Sequence, residues 1–128
     1  MRSLLVALSI VLLLVTSAAA QHGGKAEPKR IRFTTGSTQA TVAGMLSNGQ
    51  QMDYVFGATK GQSVTVSNAS KSQFDFRVFN EEYFSDGDFD SSATYTFEVP
   101  ETGDYLFTVR KKATASRSAR YSLRLTIR

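Results

Sequence analysis

The sequence of 128 residues contains no cysteine, a single histidine and one long apolar run, and each scarcity removes a class of solutions. Without cysteine there are no disulfides to staple the fold, no lipid-modified N-terminal cysteine to anchor it and no thiol nucleophile. His22 stands in a polar stretch with two glycines and a proline, so no buried imidazole base is expected in the folded part. The apolar run over residues 4–15 ("LLVALSIVLLLV") is shorter than the roughly 20 residues a bilayer span needs. With Arg2 before it and Ala18-Ala19-Ala20 after it, the run reads as the core of a signal peptide over residues 1–20. The expected product starts at Gln21, is secreted and keeps no membrane attachment.

Acids are also missing where they would balance the end of the chain. After Tyr105 come Arg110, Lys111, Lys112, Arg117, Arg120, Arg124 and Arg128, with no Asp or Glu. Between Asp75 and Asp104 the balance is reversed, with Arg77 the single cation among nine acids. The formal net charge of +4 falls to about +3 once Arg2 leaves with the signal, a mild excess that favours acidic partners. Nucleic acid is disfavoured by the compartment and by the acidic middle.

What remains after cleavage, about 108 residues, suffices for one hydrophobic core and not for two. Residues 21–29 read as a loose leader and residues 30–128 as one domain. Its apolar period is 2. Ile31 and Phe33 alternate in "RIRFTT"; Ala40, Val42 and Leu46 share one strand; Met52, Tyr54 and Phe56 share a face of the next. Asn48-Gly49 and Lys60-Gly61 mark turns, the first a hairpin signal. Val64 and Val66, then Phe74, Phe76 and Val78, then "TYTFEV", "DYLFTVR" and "YSLRLTIR" continue the alternation. About eight short strands with no helical period predict an all-β fold, an antiparallel β-sandwich. Thr102-Gly103-Asp104-Tyr105 is expected to be a hairpin between the strands ending at Val99 and starting at Tyr105, with Pro100 blocking further pairing. Tyr105 reads either as a packing aromatic with its hydroxyl at the rim or as part of a presented turn.

The chemistry-bearing patterns do not favour an enzyme. "DGDFD" (residues 86–90) begins like a calcium loop, but Ser91 and Phe97 stand where the glycine and the bidentate glutamate are required. No metal, no cofactor and no tight calcium dependence of folding are expected. No spacing among the acids selects a glycosidase pair.

The segments "IRFTTGSTQATVAG", "YVFGATKGQSVTVS", "YTFEVPETGDYLFTVRK" and "RSARYSLRLTIR" together resemble the periplasmic inhibitors of g-type lysozyme, over almost all of residues 31–128. That resemblance implies a β-sandwich, a turn matched here by residues 58–62, and a Ser-Gly-x-Tyr motif matched by Thr102, Gly103, Asp104 and Tyr105 with threonine in place of serine. It implies a lysozyme, g-type, as partner. A cleft that binds and cuts polysaccharide holds carboxylates. Thr102 and Tyr105 offer it hydroxyls, while Arg110, Lys111, Lys112, Arg117 and Arg120 offer cationic donors. The inhibitory surface is therefore expected to join the turn to the basic segment after it, on a monomer or a homodimer paired through strand edges. The same turns resemble the C-terminal sandwich modules of secreted bacterial peptidases. There they are chiefly structural and a calcium site is sometimes present, so a non-catalytic carbohydrate- or peptidoglycan-binding module stays open as the alternative.

Overall fold

The computed structural model describes residues 27–85 and 88–128. The expected signal peptide, and the expected leader up to residue 26, lie outside the described residues. Seven strands of five to ten residues and two of two residues form two sheets that pack face to face: β1 (Lys29–Arg30), β2 (Gln39–Ser47), β3 (Gln51–Ala58), β4 (Ser63–Asn68), β5 (Phe74–Asn80), β6 (Phe84–Ser85), β7 (Thr94–Glu98), β8 (Gly103–Lys111) and β9 (Ser118–Ile127). One sheet has the order β1-β3-β8-β5-β6 and the other β2-β9-β4-β7. Every pairing is antiparallel except β1 with β3. The all-β sandwich is as the period-2 pattern predicts.

The alternating residues meet in one core. Phe56, Phe74, Phe76, Tyr105 and Phe107 from the five-stranded sheet face Val64, Val66, Leu123 and Leu125 from the other, and all are essentially inaccessible. Burying such side chains contributes roughly 1.5–3 kcal/mol each, which is how a domain without disulfides holds together. Lys29, assigned above to the leader, pairs with Tyr54. Ile31 then donates its N–H to the Val55 carbonyl at 2.8 Å and is buried, so the first strand is short but its apolar face is the expected one.

The turns differ from expectation in one respect. Residues 47–50 do reverse the chain, with the Gln50 N–H on the Ser47 carbonyl at 2.9 Å and Gly49 at φ 82°. Yet β2 pairs with β9 and β3 with β8, so the turn carries the chain from one sheet to the other and is no hairpin. The turn at Gly61 (φ 89°) and the one at Thr102 do the same, linking β3 to β4 and β7 to β8. Strong turn residues fix a reversal; the packing of two inner faces decides with whom each strand then pairs.

Across β2 and β9, Gly44 stands opposite Tyr121, and a Cβ at Gly44 would lie 2.8 Å from the Tyr121 hydroxyl. The space left by the missing side chain seats that ring, whose hydroxyl shares a 2.5 Å hydrogen bond with Tyr54. Burial, then this hydrogen bond, pushes the Tyr54 phenol well above its ordinary value of 10.0. The unfolded chain therefore releases this proton first, so stability is complete below pH ~10 and falls as pH rises beyond it. The expected result is a melting temperature that declines above about pH 10 in the parent and less steeply in Tyr54→Phe, read by circular dichroism against pH; parallel curves would remove Tyr54 as the cause.

Candidate functional site

The two motif-bearing turns, forty residues apart in sequence, lie side by side at one end of the sandwich. Ala58 pairs with Gly103 and Gly57 with Asp104 across β3 and β8. The Lys60 N–H donates to the Thr102 hydroxyl oxygen at 2.9 Å, and Gly61 N–H to the Val99 carbonyl at 2.9 Å. Val99 N–H returns to the Gln62 carbonyl at 2.8 Å, and the Gln62 side chain accepts from Thr59 N–H at 2.7 Å. Lys60 Nζ reaches Glu101 at 3.5 Å, an exposed pair. Backbone hydrogen bonds thus lock the 58–62 and 100–104 segments into one rim with little left to order on binding.

Beneath the rim lies Tyr105, with no accessible surface. Its ring stacks on Phe56 at 5.8 Å, and its hydroxyl donates to the Glu101 carbonyl four residues back at 2.6 Å. This is a tyrosine corner, a device by which sandwiches clamp a loop onto the strand that follows it. Tyr105 shapes the turn and offers no surface for a partner to touch. Thr102 and Asp104 are exposed, and Gly103 stands between them at the surface. Asp104 accepts two hydrogen bonds from Arg30 (3.2 and 2.7 Å), whose guanidinium holds its carboxyl below the usual aspartate range. Arg30 lies seventy-four residues away, and no sequence signal pairs it with Asp104. Beside the rim, Phe33, Thr38, Thr59, Thr102, Gly103 and Asp104 help to line an open groove of about 600 Å³.

The basic residues are elsewhere. Strand β8 runs from Gly103 to Lys111, roughly 26 Å at about 3.3 Å per residue, so the segment it leads into lies at the opposite end of the sandwich. The expected single surface joining the turn to the basic segment is not formed. Arg110 points outward on β8, makes a two-point ion pair with Asp75 (3.1 and 2.7 Å) and stacks over Phe89 at 3.8 Å. Lys111 points inward, is 1% exposed, and gives its three protons to Asn48 Oδ1, the Lys112 carbonyl and Thr114 Oγ1 at 2.8–2.9 Å. It is a buried strut between the turn at 47–50 and the loop after β8, unavailable to a partner. Arg117 is exposed on that loop, and Arg120 is exposed on β9. Among the described residues neither forms an ion pair.

No family model matches the chain, and no curated protein matches it in sequence. Solved structures do. The chain is similar to periplasmic inhibitors of g-type lysozyme. The Aeromonas hydrophila inhibitor shares 25% identity over 79% of this chain and 96% of its own, with a TM-score of 0.65. The Salmonella Typhimurium inhibitor shares 23% over 81% and 100%, with a TM-score of 0.63. The pre-peptidase C-terminal domain of a Bacillus anthracis collagenase, 15% identical over 84% and 100% at a TM-score of 0.53, shares the fold. Both resemblances seen in the sequence thus reappear in three dimensions, the inhibitors with more identity and closer superposition.

Proposed function

We propose that this protein is a non-catalytic periplasmic inhibitor of lysozyme, most specifically of the g-type, and that the rim built by residues 58–62 and 100–104 enters the enzyme's cleft. The observation that carries the reading is the convergence of the two motif-matching turns into one hydrogen-bonded edge, in a fold similar to that of known inhibitors. On this reading Thr102 keeps its O–H to donate, because the Lys60 N–H occupies only an acceptor site on its oxygen. Lys60 and Arg30 bring positive charge to cleft carboxylates. Arg110, Arg117 and Arg120 are too far from Thr102 to share a narrow cleft with it.

The test is a lysis assay with purified protein against goose-, chicken- and invertebrate-type lysozymes. Thr102→Arg, folded by circular dichroism, is expected to weaken inhibition of the goose-type enzyme at least tenfold, about 1.4 kcal/mol, while Arg117→Ala stays within roughly threefold of the parent. The reverse pattern would move the site to the basic end. A parent that blocks none of the three enzymes but sediments with peptidoglycan would replace the inhibitor by a wall-binding module.

A further inference from the structure

The outer face of the four-stranded sheet lies apart from the rim and has its own composition. Alternation along β9 turns Arg120, Ser122, Arg124 and Thr126 outward, and the chain ends just beyond at Arg128. Hydroxyls flank Arg124 and Thr126: Thr41 stands beside Arg124 on β2, and on the other side Ser67 pairs with Arg124 and Thr65 with Thr126, whereas Met45 stands beside Arg120 and the one acid on the face, Glu98, beside Ser63. Thr65 in turn pairs with Thr96 on β7, their hydroxyls 2.9 Å apart. Two shallow depressions mark the face, one of about 180 Å³ formed by Arg124 with Thr41, Ser67 and Ser122, the other of about 310 Å³ formed by Arg128 with Ser63, Thr65 and Thr126. Each holds one arginine among hydroxyls.

Among the described residues, Arg120, Arg124 and Arg128 form no ion pair. Unpaired guanidiniums four residues apart, roughly 13 Å along a strand, are spaced for a repeating anion and too widely for one small one. Guanidinium recognises carboxylate with two parallel hydrogen bonds, and the hydroxyls between supply donors and acceptors of the kind that sugar hydroxyls match. The face offers no aromatic ring on which a base could stack, since Tyr95 and Phe97 of β7 belong to the inner side, and this argues against single-stranded nucleic acid. We infer that the outer face of β2-β9-β4-β7 is a binding surface for a linear polysaccharide that carries carboxylates, running along β9 over the Arg124 and Arg128 depressions. This site is independent of the lysozyme reading and would hold the protein on an acidic glycan while the rim stays free.

Polygalacturonate is a suitable probe, with a carboxylate on every sugar. Titrated calorimetrically at low salt, it is expected to bind the parent, and Arg124→Gln combined with Arg128→Gln is expected to weaken binding at least tenfold with an unchanged melting temperature. Arg124→Lys should rescue only part, because a lysine cannot present two parallel donors. Dextran, uncharged, should not bind, and Thr102→Arg should bind polygalacturonate like the parent. The inference is overturned if the double variant binds as well as the parent, if single-stranded DNA or anionic lipid vesicles compete on equal terms, or if Thr102→Arg abolishes glycan binding. Inhibition of lysozyme by the double variant is a separate readout, expected at parent level, so that failure of the glycan site and failure of the inhibitor reading remain distinguishable.

Discussion

Tyr105→Ala is expected to destabilise the protein by about 3–5 kcal/mol, the cost of emptying a large aromatic site in a packed core. The ring is inaccessible and lies against Phe56, Phe84 and Phe97, so the space it leaves has rigid walls and cannot collapse fully. Against a total stability of about 5–15 kcal/mol, a loss of that size takes roughly a fifth or more of what holds the domain together. Tyr105→Phe separates packing from the corner. It keeps the ring and leaves the Glu101 carbonyl without its 2.6 Å donor, at a cost of about 1–2 kcal/mol. Chemical denaturation of the three proteins measures both. If the hydroxyl also holds the rim in shape, Tyr105→Phe should weaken lysozyme inhibition more than Arg117→Ala does, although the tyrosine touches no partner. Equal stability of Tyr105→Phe and the parent would deny the corner any role.

The placement of Tyr105 shows how far the sequence alone leads. Period-2 alternation located nearly every long strand and the face each presents, because burial acts on one face of a strand and not on the other. The Tyr105, Phe107, Val109 series even fixes Lys111 as inward by parity, a conclusion hidden by its place in a run of three cations. Alternation is silent on strand partners. Nothing local distinguishes a reversal that returns to its neighbour from one that crosses to the opposite sheet, so Asn48-Gly49 and Thr102-Gly103 read as hairpins and serve as crossings. For the same reason the rim was legible only as two separate motifs. The Lys60–Thr102 hydrogen bond and the Arg30–Asp104 pair arise from sheet order, which depends on the whole core. The two two-residue strands, β1 and β6, are too short to carry a periodic signal.

Lys111→Ala is expected to cost about 3–5 kcal/mol, as much as losing a core aromatic, although the residue lies in the most basic stretch of the chain. Among the described residues its ammonium has no carboxylate partner; Asn48 Oδ1, the Lys112 carbonyl and Thr114 Oγ1 surround it, and Thr114 passes the contact on to Gln73 Oε1 at 2.8 Å. Removing the side chain leaves a cavity under β8 and deprives these acceptors of their charged donor. Lys111→Met keeps the volume and divides the two effects. Relief of a buried charge offsets part of the loss, because taking an ammonium out of water is itself costly. Orphaned acceptors weigh against it, since the Lys112 carbonyl keeps no second donor among the described hydrogen bonds, whereas Asn48 Oδ1 retains only the long 3.4 Å contact from Thr114 N–H. A net destabilisation of about 1–3 kcal/mol is therefore expected for Met, between the parent and Ala. Hydrogen exchange should accelerate first at residues 47–50 and 112–117, the two segments the ammonium ties together. Lysozyme inhibition by the folded Lys111→Met protein should match the parent, because the strut stands at the far end of β8 from Thr102. A stable Lys111→Met protein that no longer inhibits would place the inhibitory contacts on the loop this lysine supports, and would take them away from the rim.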